Sequence, residues 1–129
     1  MSLKITPTDS IKETEGVWTK YMGVDLKVAR GSNPKYLNEL AKRSRAFQKR
    51  FEKNRASNAE MKEALCHAAA RHLLVDWKGL SSNGESIPYS VENAYDLLIS
   101  DIDCREAVLA FSDDMDNYMI EEVEETVGK

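Results

Sequence analysis

The chain has 129 residues, of which 42% are hydrophobic and 31% are charged, and its formal net charge is −4. A chain of this length forms one domain that buries about two-thirds of its unfolded surface. It has no apolar run of about 18 residues and no apolar segment near its start, so neither a membrane span nor a signal peptide is expected. The two cysteines, Cys66 and Cys104, are expected to be buried reduced thiols in a protein of the cytoplasm.

The charges are distributed unevenly along the chain. Residues 33–55 carry eight basic and two acidic side chains, a balance of +6, whereas residues 85–129 carry two basic and thirteen acidic ones, a balance of −11. Charge runs are usually solvated faces. The alternative is that the basic element docks on the acidic one of another copy, which predicts head-to-tail self-association. The candidate residues for this contact are Lys42, Arg43, Arg45, Lys49, Arg50, Asp113, Asp114 and Asp116.

The first elements in chain order are a polar arm and a hairpin. Residues 1–15 are predicted to be a flexible N-terminal arm. Two segments rich in β-forming residues, 17–21 and 24–28, flank Met22-Gly23, which predicts a β-hairpin. Because an isolated hairpin is only marginally stable in water, we expect it to pack on the helices that follow.

Two helices are predicted next. Asn33-Pro34 places a cap and a proline at the start of the basic helix, which should fade near residue 54. Ser57 and Glu60 form a potential capping box for a second helix, which is predicted to end just past Trp77, at Gly79. The apolar stripe of the basic helix consists of Leu37, Leu40, Ala41, Ser44, Phe47 and Phe51.

The remaining segments predict a loop and two more helices. Asn83-Gly84 is typical of a tight turn, and Ile87-Pro88-Tyr89 is expected to be extended and to pack against Trp77. Ser90 should cap the third helix, and Asp103 with Glu106 the last one. The predicted fold is therefore mainly α: about four helices with a small N-terminal β-hairpin. It forms a single helical domain over residues 16–125, followed by a C-terminal tail, 126–129.

No pattern in the sequence indicates an active site. Cys66, His67 and His72 are the only metal-ligand types close in sequence, but their helical spacing does not bring them together. His72 is better interpreted as a core histidine that bonds Asp76. A phosphate-binding loop, a serine elbow and a spaced carboxylate pair are also missing from the sequence. We therefore predict no catalytic residue, no metal and no cofactor, and a protein that is not an enzyme.

The basic helix supports an alternative function. A small regulatory protein could use residues 33–55 to contact a phosphate backbone, with Tyr36, Phe47 and Phe51 beside the basic side chains. However, these aromatics lie on or beside the apolar stripe, and the acidic C-terminal half would repel nucleic acid. Nucleic-acid binding therefore ranks second.

The order of these signals resembles the tail assembly chaperones of long-tailed, non-contractile phages. The most similar parts are the junction Trp77-Lys78-Gly79-Leu80, the loop 83–90 and the following helix 91–98, and a weaker similarity extends over residues 14–125. The resemblance implies an interaction protein that coats the tape measure protein, keeps it soluble and helps to recruit tail tube subunits. It also implies homo-oligomers, action in the host cytoplasm and absence from the mature virion.

The same resemblance implies a longer form that arises by translational frameshifting and that contacts the tail tube protein. The C-terminal Val127-Gly128-Lys129 permits a slippery codon arrangement. No binding motif of the family can be assigned to single residues, so the binding surfaces are predicted from chemistry, as accessible apolar and methionine-containing stripes. These are the hairpin residues Trp18, Tyr21 and Met22, and the last-helix residues Phe111, Met115, Tyr118 and Met119. No nucleic-acid or membrane partner is expected.

Overall fold

The computed structural model describes residues 7–52 and 58–120, and over this part helices alternate with short antiparallel strands. A 3₁₀ helix, Met115–Tyr118, follows the last α-helix. The other elements in chain order are α1 (Ser10–Glu15), β1 (Val17–Tyr21), β2 (Val24–Val28), α2 (Pro34–Glu52), α3 (Asn58–His72), β3 (Leu74–Lys78), β4 (Ser81–Ser82), β5 (Glu85–Ser86), α4 (Val91–Ser100) and α5 (Ile102–Asp113).

The predicted β-hairpin is confirmed. β1 and β2 pair antiparallel, with Tyr21 opposite Val24 and Thr19 opposite Leu26. Both turn residues have positive φ, 51° at Met22 and 83° at Gly23. This is the geometry of a two-residue type I′ turn, whose twist matches that of the flanking strands.

The prediction of a mainly α fold is wrong, because residues 74–78 form a strand. α3 ends at His72, and β3 then pairs antiparallel with β2, with Trp77 opposite Leu26. The result is a three-stranded sheet in the order β1-β2-β3, with a second, two-stranded sheet formed by β4 and β5. The fold is α+β.

This error has a physical cause. The apolar residues around Leu73, Leu74 and Trp77 fit a continued helix as well as a buried strand, and local periodicity does not distinguish the two. Pairing with β2, which is distant in sequence, decides the outcome because it completes the sheet and buries Val28 and Leu74.

The segment 87–89 holds Trp77, as expected, although Trp77 lies in a strand and not at a helix end. The indole Nε1–H donates a hydrogen bond to the carbonyl oxygen of Ile87 at 2.8 Å. The Trp77 and Tyr89 rings meet edge to face with their centroids 5.0 Å apart. The Tyr89 hydroxyl donates to the carbonyl oxygen of Leu74 at 2.8 Å. Gly79, with φ 82°, lies after β3 and does not end a helix.

The four helices predicted after the hairpin are present, and α3 lies at their centre. It packs against both α2 and α4, and its small buried residues let these neighbours approach closely. Asn33 and Ser90 cap α2 and α4, because their side-chain oxygens accept hydrogen bonds from backbone amides at 3.0 and 2.9 Å. The predicted capping box at Ser57 lies outside the described residues. The buried residues of α3 are Ala64, Cys66, Ala68, Ala69 and Ala70.

The last α-helix differs from the prediction at both ends. Asp101, and not Asp103, caps α5, since its Oδ1 accepts a hydrogen bond from the Cys104 amide at 3.0 Å. α5 ends at Asp113, and the 3₁₀ helix then leads to Tyr118. The single helix predicted through Met119 is therefore wrong. Residues 121–129, which include the predicted tail, lie outside the described residues.

Residues 7–15 differ from the flexible arm expected for 1–15. Asp9 caps α1 by accepting a hydrogen bond from the Ile11 amide at 2.9 Å, and its own amide donates to the Tyr118 carbonyl oxygen at 2.7 Å. Glu13 forms an ion pair with Arg30, just after β2. These contacts connect α1 to the 3₁₀ helix and to the end of the hairpin.

Candidate partner-binding site

The histidines take part in packing and ion pairing. His67 stacks on Tyr95 with ring centroids 4.0 Å apart, and burial, followed by the charges of Arg43 and Arg71, lowers its pKa. His72 lies 3.7 Å from Glu39 and does not bond Asp76, whose carboxylate accepts a hydrogen bond from the Trp77 amide. Within residues 7–52 and 58–120 no group of three or more His, Cys, Asp or Glu side chains could hold a metal ion.

Both cysteines are free and buried. Burial raises the pKa of Cys104 to about 11, and the nearby Asp101 carboxylate adds to this effect. Burial also raises the pKa of Cys66, although Arg105 acts in the opposite direction. A thiol held in the neutral form is a poor nucleophile and a poor metal ligand, and both side chains pack in the buried core.

Of the hairpin residues predicted for partner binding, Tyr21 and Met22 line one cavity, whereas Trp18 does not. Met22, at the turn, is 84% exposed, and Trp18 is 39% exposed. The ammonium groups of Lys78 and Lys27 lie 4.6 and 5.8 Å from the centroid of the Trp18 ring, a cation–π arrangement. Tyr21 is half-buried and lines a cavity of about 200 Å³ between the hairpin, α4 and α5.

The last-helix residues are mostly internal. Tyr118 is fully buried, and its hydroxyl donates to the Val28 carbonyl oxygen at 3.0 Å. Phe111 packs edge to face on Tyr118, and Met119 pairs with Thr8. Only Met115 is substantially exposed, at 42%. In this conformation the four residues do not form one accessible stripe.

A more continuous apolar surface lies between α2, α3 and α5. It is an open groove of about 410 Å³, a volume within the range of small-molecule pockets. Leu40, Leu65 and Leu109 are half-buried and contact the core, whereas Met61 is 41% exposed. We call this surface the α2–α3–α5 groove; its lining residues are Leu40, Ser44, Met61, Lys62, Leu65, Arg105, Glu106 and Leu109.

The charged residues of the α2–α3–α5 groove lie on α3 and α5. Lys62 and Arg105 are basic and Glu106 is acidic, which leaves a small positive excess among the lining residues. Arg105 is held in place because its guanidinium donates to the Leu98 carbonyl oxygen at 3.0 Å. The groove therefore combines apolar walls with one fixed cation, Arg105, and the exposed Lys62.

The residues predicted for head-to-tail self-association are basic side chains of α2 and acidic side chains at and after the end of α5. Lys42 and Arg45 are exposed, but Arg43 donates to Glu39 at 2.7 Å and is already paired. Asp113, Asp114 and Asp116 are exposed. Asp114 also accepts a hydrogen bond from the Asp116 amide at 3.0 Å, at the start of the 3₁₀ helix. The side chains of Lys49 and Arg50 lie outside the described part.

The carboxylate of Glu39 lies close to basic side chains of α2 and α3, namely Arg43, Arg71 and His72. Burial by itself would raise the pKa of its carboxyl, but the hydrogen bond and charge of Arg43, with the charges of His72 and Arg71, lower the pKa overall. Arg71 lies 3.9 Å from the same carboxylate. Part of the positive charge of the basic helix is thus compensated within the fold.

The α2–α3–α5 groove was missed by sequence reasoning, although one signal for it was present. Leu40 and Ser44 belong to the apolar stripe predicted for the basic helix. That stripe is only partly covered by the fold, since Leu37 is exposed and Leu40 is half-buried. The residues that complete the groove come from α3 and α5, and only the tertiary structure brings them to α2.

The last observations concern membrane-spanning helices and the similarity of the chain to known proteins. None of the helices in the described ranges combines the length and the apolar character needed to cross a membrane. No curated protein and no solved structure matches the chain. The family model of the YdaY prophage protein matches residues 31–129, a span that begins just after the hairpin and contains the α2–α3–α5 groove. The chain belongs to the YdaY prophage protein family.

Proposed function

We propose that this prophage protein is a tail assembly chaperone that binds amphipathic helices of the tape measure protein in the α2–α3–α5 groove. A protein that keeps a long helical partner soluble needs an accessible apolar surface that accommodates varied side chains. The half-open groove, with the exposed Met61 at its edge, is the observation that supports this proposal.

The groove suggests what a bound segment would look like. Apolar side chains at helical spacing would contact Leu40, Leu65 and Leu109, and acidic side chains beside them would approach Lys62 and Arg105. The resemblance to tail assembly chaperones supplies the identity of the partner. On the same basis we propose that the protein acts in the host cytoplasm without catalysis or a cofactor. A longer, frameshifted form would contact the tail tube protein.

Co-expression with the cognate tape measure protein tests this function. We expect the tape measure protein to become soluble and to co-purify with the wild-type chain. The variant Met61→Glu places a charge at the apolar groove and should abolish both effects. Glutamate is a good helix former, so α3 should be retained, and circular dichroism would verify this.

Two other exposed methionines provide matched controls. Met115 has nearly the same exposure as Met61, 42% against 41%, and Met22 lies at the hairpin turn. Met115→Glu and Met22→Glu should therefore leave co-purification intact. If either of these variants abolished co-purification while Met61→Glu did not, the binding surface would be one of those first predicted from the sequence. A tape measure protein that stays insoluble with the wild-type chain would contradict the function itself.

A further inference from the structure

β1 is one of the two edge strands of the three-stranded sheet, and no other strand pairs with its outer side among the described residues. The turn Met22-Gly23 is a two-residue loop, so the flanking pair Tyr21–Val24 is hydrogen-bonded, and such pairs alternate along the hairpin. The main-chain groups of Thr19 thus bond to β2, and those of Trp18 and Lys20 point away from it. Across the part of the chain that the structure describes, the amides and carbonyls of Trp18 and Lys20 have no backbone partner.

At the other edge strand, β3, side chains bond to main-chain groups. The Trp77 amide donates to Asp76 Oδ1 at 2.8 Å, and the Leu74 carbonyl oxygen accepts from the Tyr89 hydroxyl at 2.8 Å. An open strand edge is a template for pairing with another strand, and proteins usually protect it or use it. Within the described part of the chain, the outer side of β1 offers such a template.

We propose that two copies of the chain associate through their β1 edges, antiparallel and centred on Thr19, so that two three-stranded sheets join into one. In this register Trp18 of each copy is opposite Lys20 of the other, and both pairs exchange main-chain hydrogen bonds. The contact is isologous, because the same strand contributes to both sides.

The charge of Lys20 and the bonded amide of Gly16 favour this register over the two registers shifted by two residues. Shifting the pairing by two residues towards the turn would place Lys20 opposite Lys20 of the second copy, and like charges directly opposite are destabilising. Shifting it the other way would place Lys20 opposite Gly16, whose amide already bonds to the Lys12 carbonyl oxygen. The register centred on Thr19 avoids both problems. It places each Lys20, whose ammonium pairs with Asp25 of its own copy at 2.9 Å, beside Trp18 of the other copy.

The space beside the edge is consistent with an added strand. A cavity of about 170 Å³ lies next to β1, between the inner face of the sheet and α5, and is lined in part by Thr19, Tyr21, Ala107 and Phe111. In the proposed register Thr19 of the second copy would lie directly across from Thr19, on this face. Paired threonines are favourable cross-strand neighbours.

A single substitution removes the contact without touching the hairpin ladder. Lys20→Pro deletes an amide that points to solvent in the isolated chain, a position where edge strands tolerate proline. Sedimentation equilibrium from micromolar to millimolar protein should show a dimer for the wild type and at least about a tenfold weaker dimer for Lys20→Pro. Lys20→Ala is the matched control: it removes the same charge but keeps the amide, and should still dimerise.

Amide hydrogen exchange tests the same contact without a substitution. The Trp18 and Lys20 amides should exchange rapidly at low protein concentration and slow down as the concentration rises, whereas the Met22 amide should not change. A wild-type monomer at all concentrations, or a dimer that Lys20→Pro leaves unchanged, would overturn the proposal. Oligomers that dissociate with salt and are unaffected by Lys20→Pro would instead favour the charged head-to-tail contact.

Discussion

The indole of Trp77 donates a hydrogen bond to the carbonyl oxygen of Ile87 at 2.8 Å, which joins the outer strand of the main sheet to the segment that leads into α4. Tyr89 completes this contact by packing against the indole edge to face. The three residues fix the chain where it passes from β3 to α4, on which the central helix α3 also packs.

Trp77→Ala should destabilise the fold strongly. Trp77 is 5% exposed, and truncating a buried aromatic residue to alanine costs about 3–5 kcal/mol. Trp77→Phe keeps most of the apolar contact but leaves the Ile87 carbonyl without its donor, which should cost about 1–3 kcal/mol. Urea denaturation measures the change in the free energy of unfolding for both variants. An unchanged midpoint for Trp77→Ala would contradict the buried position of this side chain.

Tyr118→Phe should destabilise the protein by about 1–3 kcal/mol, because it removes the hydrogen bond to the buried Val28 carbonyl oxygen. The nearby tyrosine Tyr21 is a suitable control, since no side-chain hydrogen bond of its hydroxyl is present among the described residues. Tyr21→Phe should change the thermal midpoint little. Equal effects of the two substitutions would show that the Tyr118 hydroxyl contributes no more than an ordinary surface group.

Stability should fall at alkaline pH, in part through Cys104. The pKa of its thiol is raised to about 11 from an ordinary value of 9.0, so the unfolded chain releases this proton first. The stabilising effect is therefore fully present below pH 9.0 and is lost as the pH rises towards about 11. The loss amounts to roughly 3 kcal/mol once the thiol is ionised in both the folded and the unfolded state.

Urea denaturation under reducing conditions, repeated across this pH range, measures the alkaline effect. Cys104→Ala lacks the thiol, so its unfolding free energy should decline less steeply with pH than that of the wild type. Identical pH slopes for the two proteins would contradict the predicted contribution of Cys104.

Most of the correct predictions depend on neighbouring residues, although the cap assigned to Asp103 was wrong and the packing of segment 87–89 on Trp77 was right. The hairpin with its Met22-Gly23 turn and the caps Asn33 and Ser90 follow from short-range chemistry, and all are present. Strand β3 could not be predicted in the same way, because its pairing partner β2 lies far away in sequence.

The residues of the candidate site could not be predicted from local sequence patterns either. Tyr118 and Phe111 fit an apolar helical stripe, but the chain turns after Asp113 and buries Tyr118 beneath the hairpin. Conversely, Leu65 and Leu109 gave no separate signal, because a groove between three helices exists only once the helices are packed together. The uneven charge distribution was visible from the sequence, but the pairing of Arg43 with Glu39 was visible only as a helical spacing.

We expect no tight binding to DNA or RNA. Arg43 and Arg71 surround Glu39, which reduces the positive charge that the described part of the basic helix offers to phosphates. Electrophoretic mobility shifts near physiological salt should show no complex. A tight complex whose affinity falls steeply with salt would support the alternative function of residues 33–55.

The central claim, that a tape measure helix binds in the α2–α3–α5 groove, is tested most directly by methionine-methyl NMR. Met61, Met115 and Met22 place one exposed methyl probe at the groove, at the 3₁₀ helix and at the hairpin turn. Titration with an amphipathic helix from the cognate tape measure protein should shift the Met61 resonance with saturation and leave the other two unchanged. Saturable shifts of Met22 or Met115 without a shift of Met61, or no shift at any site, would contradict the account.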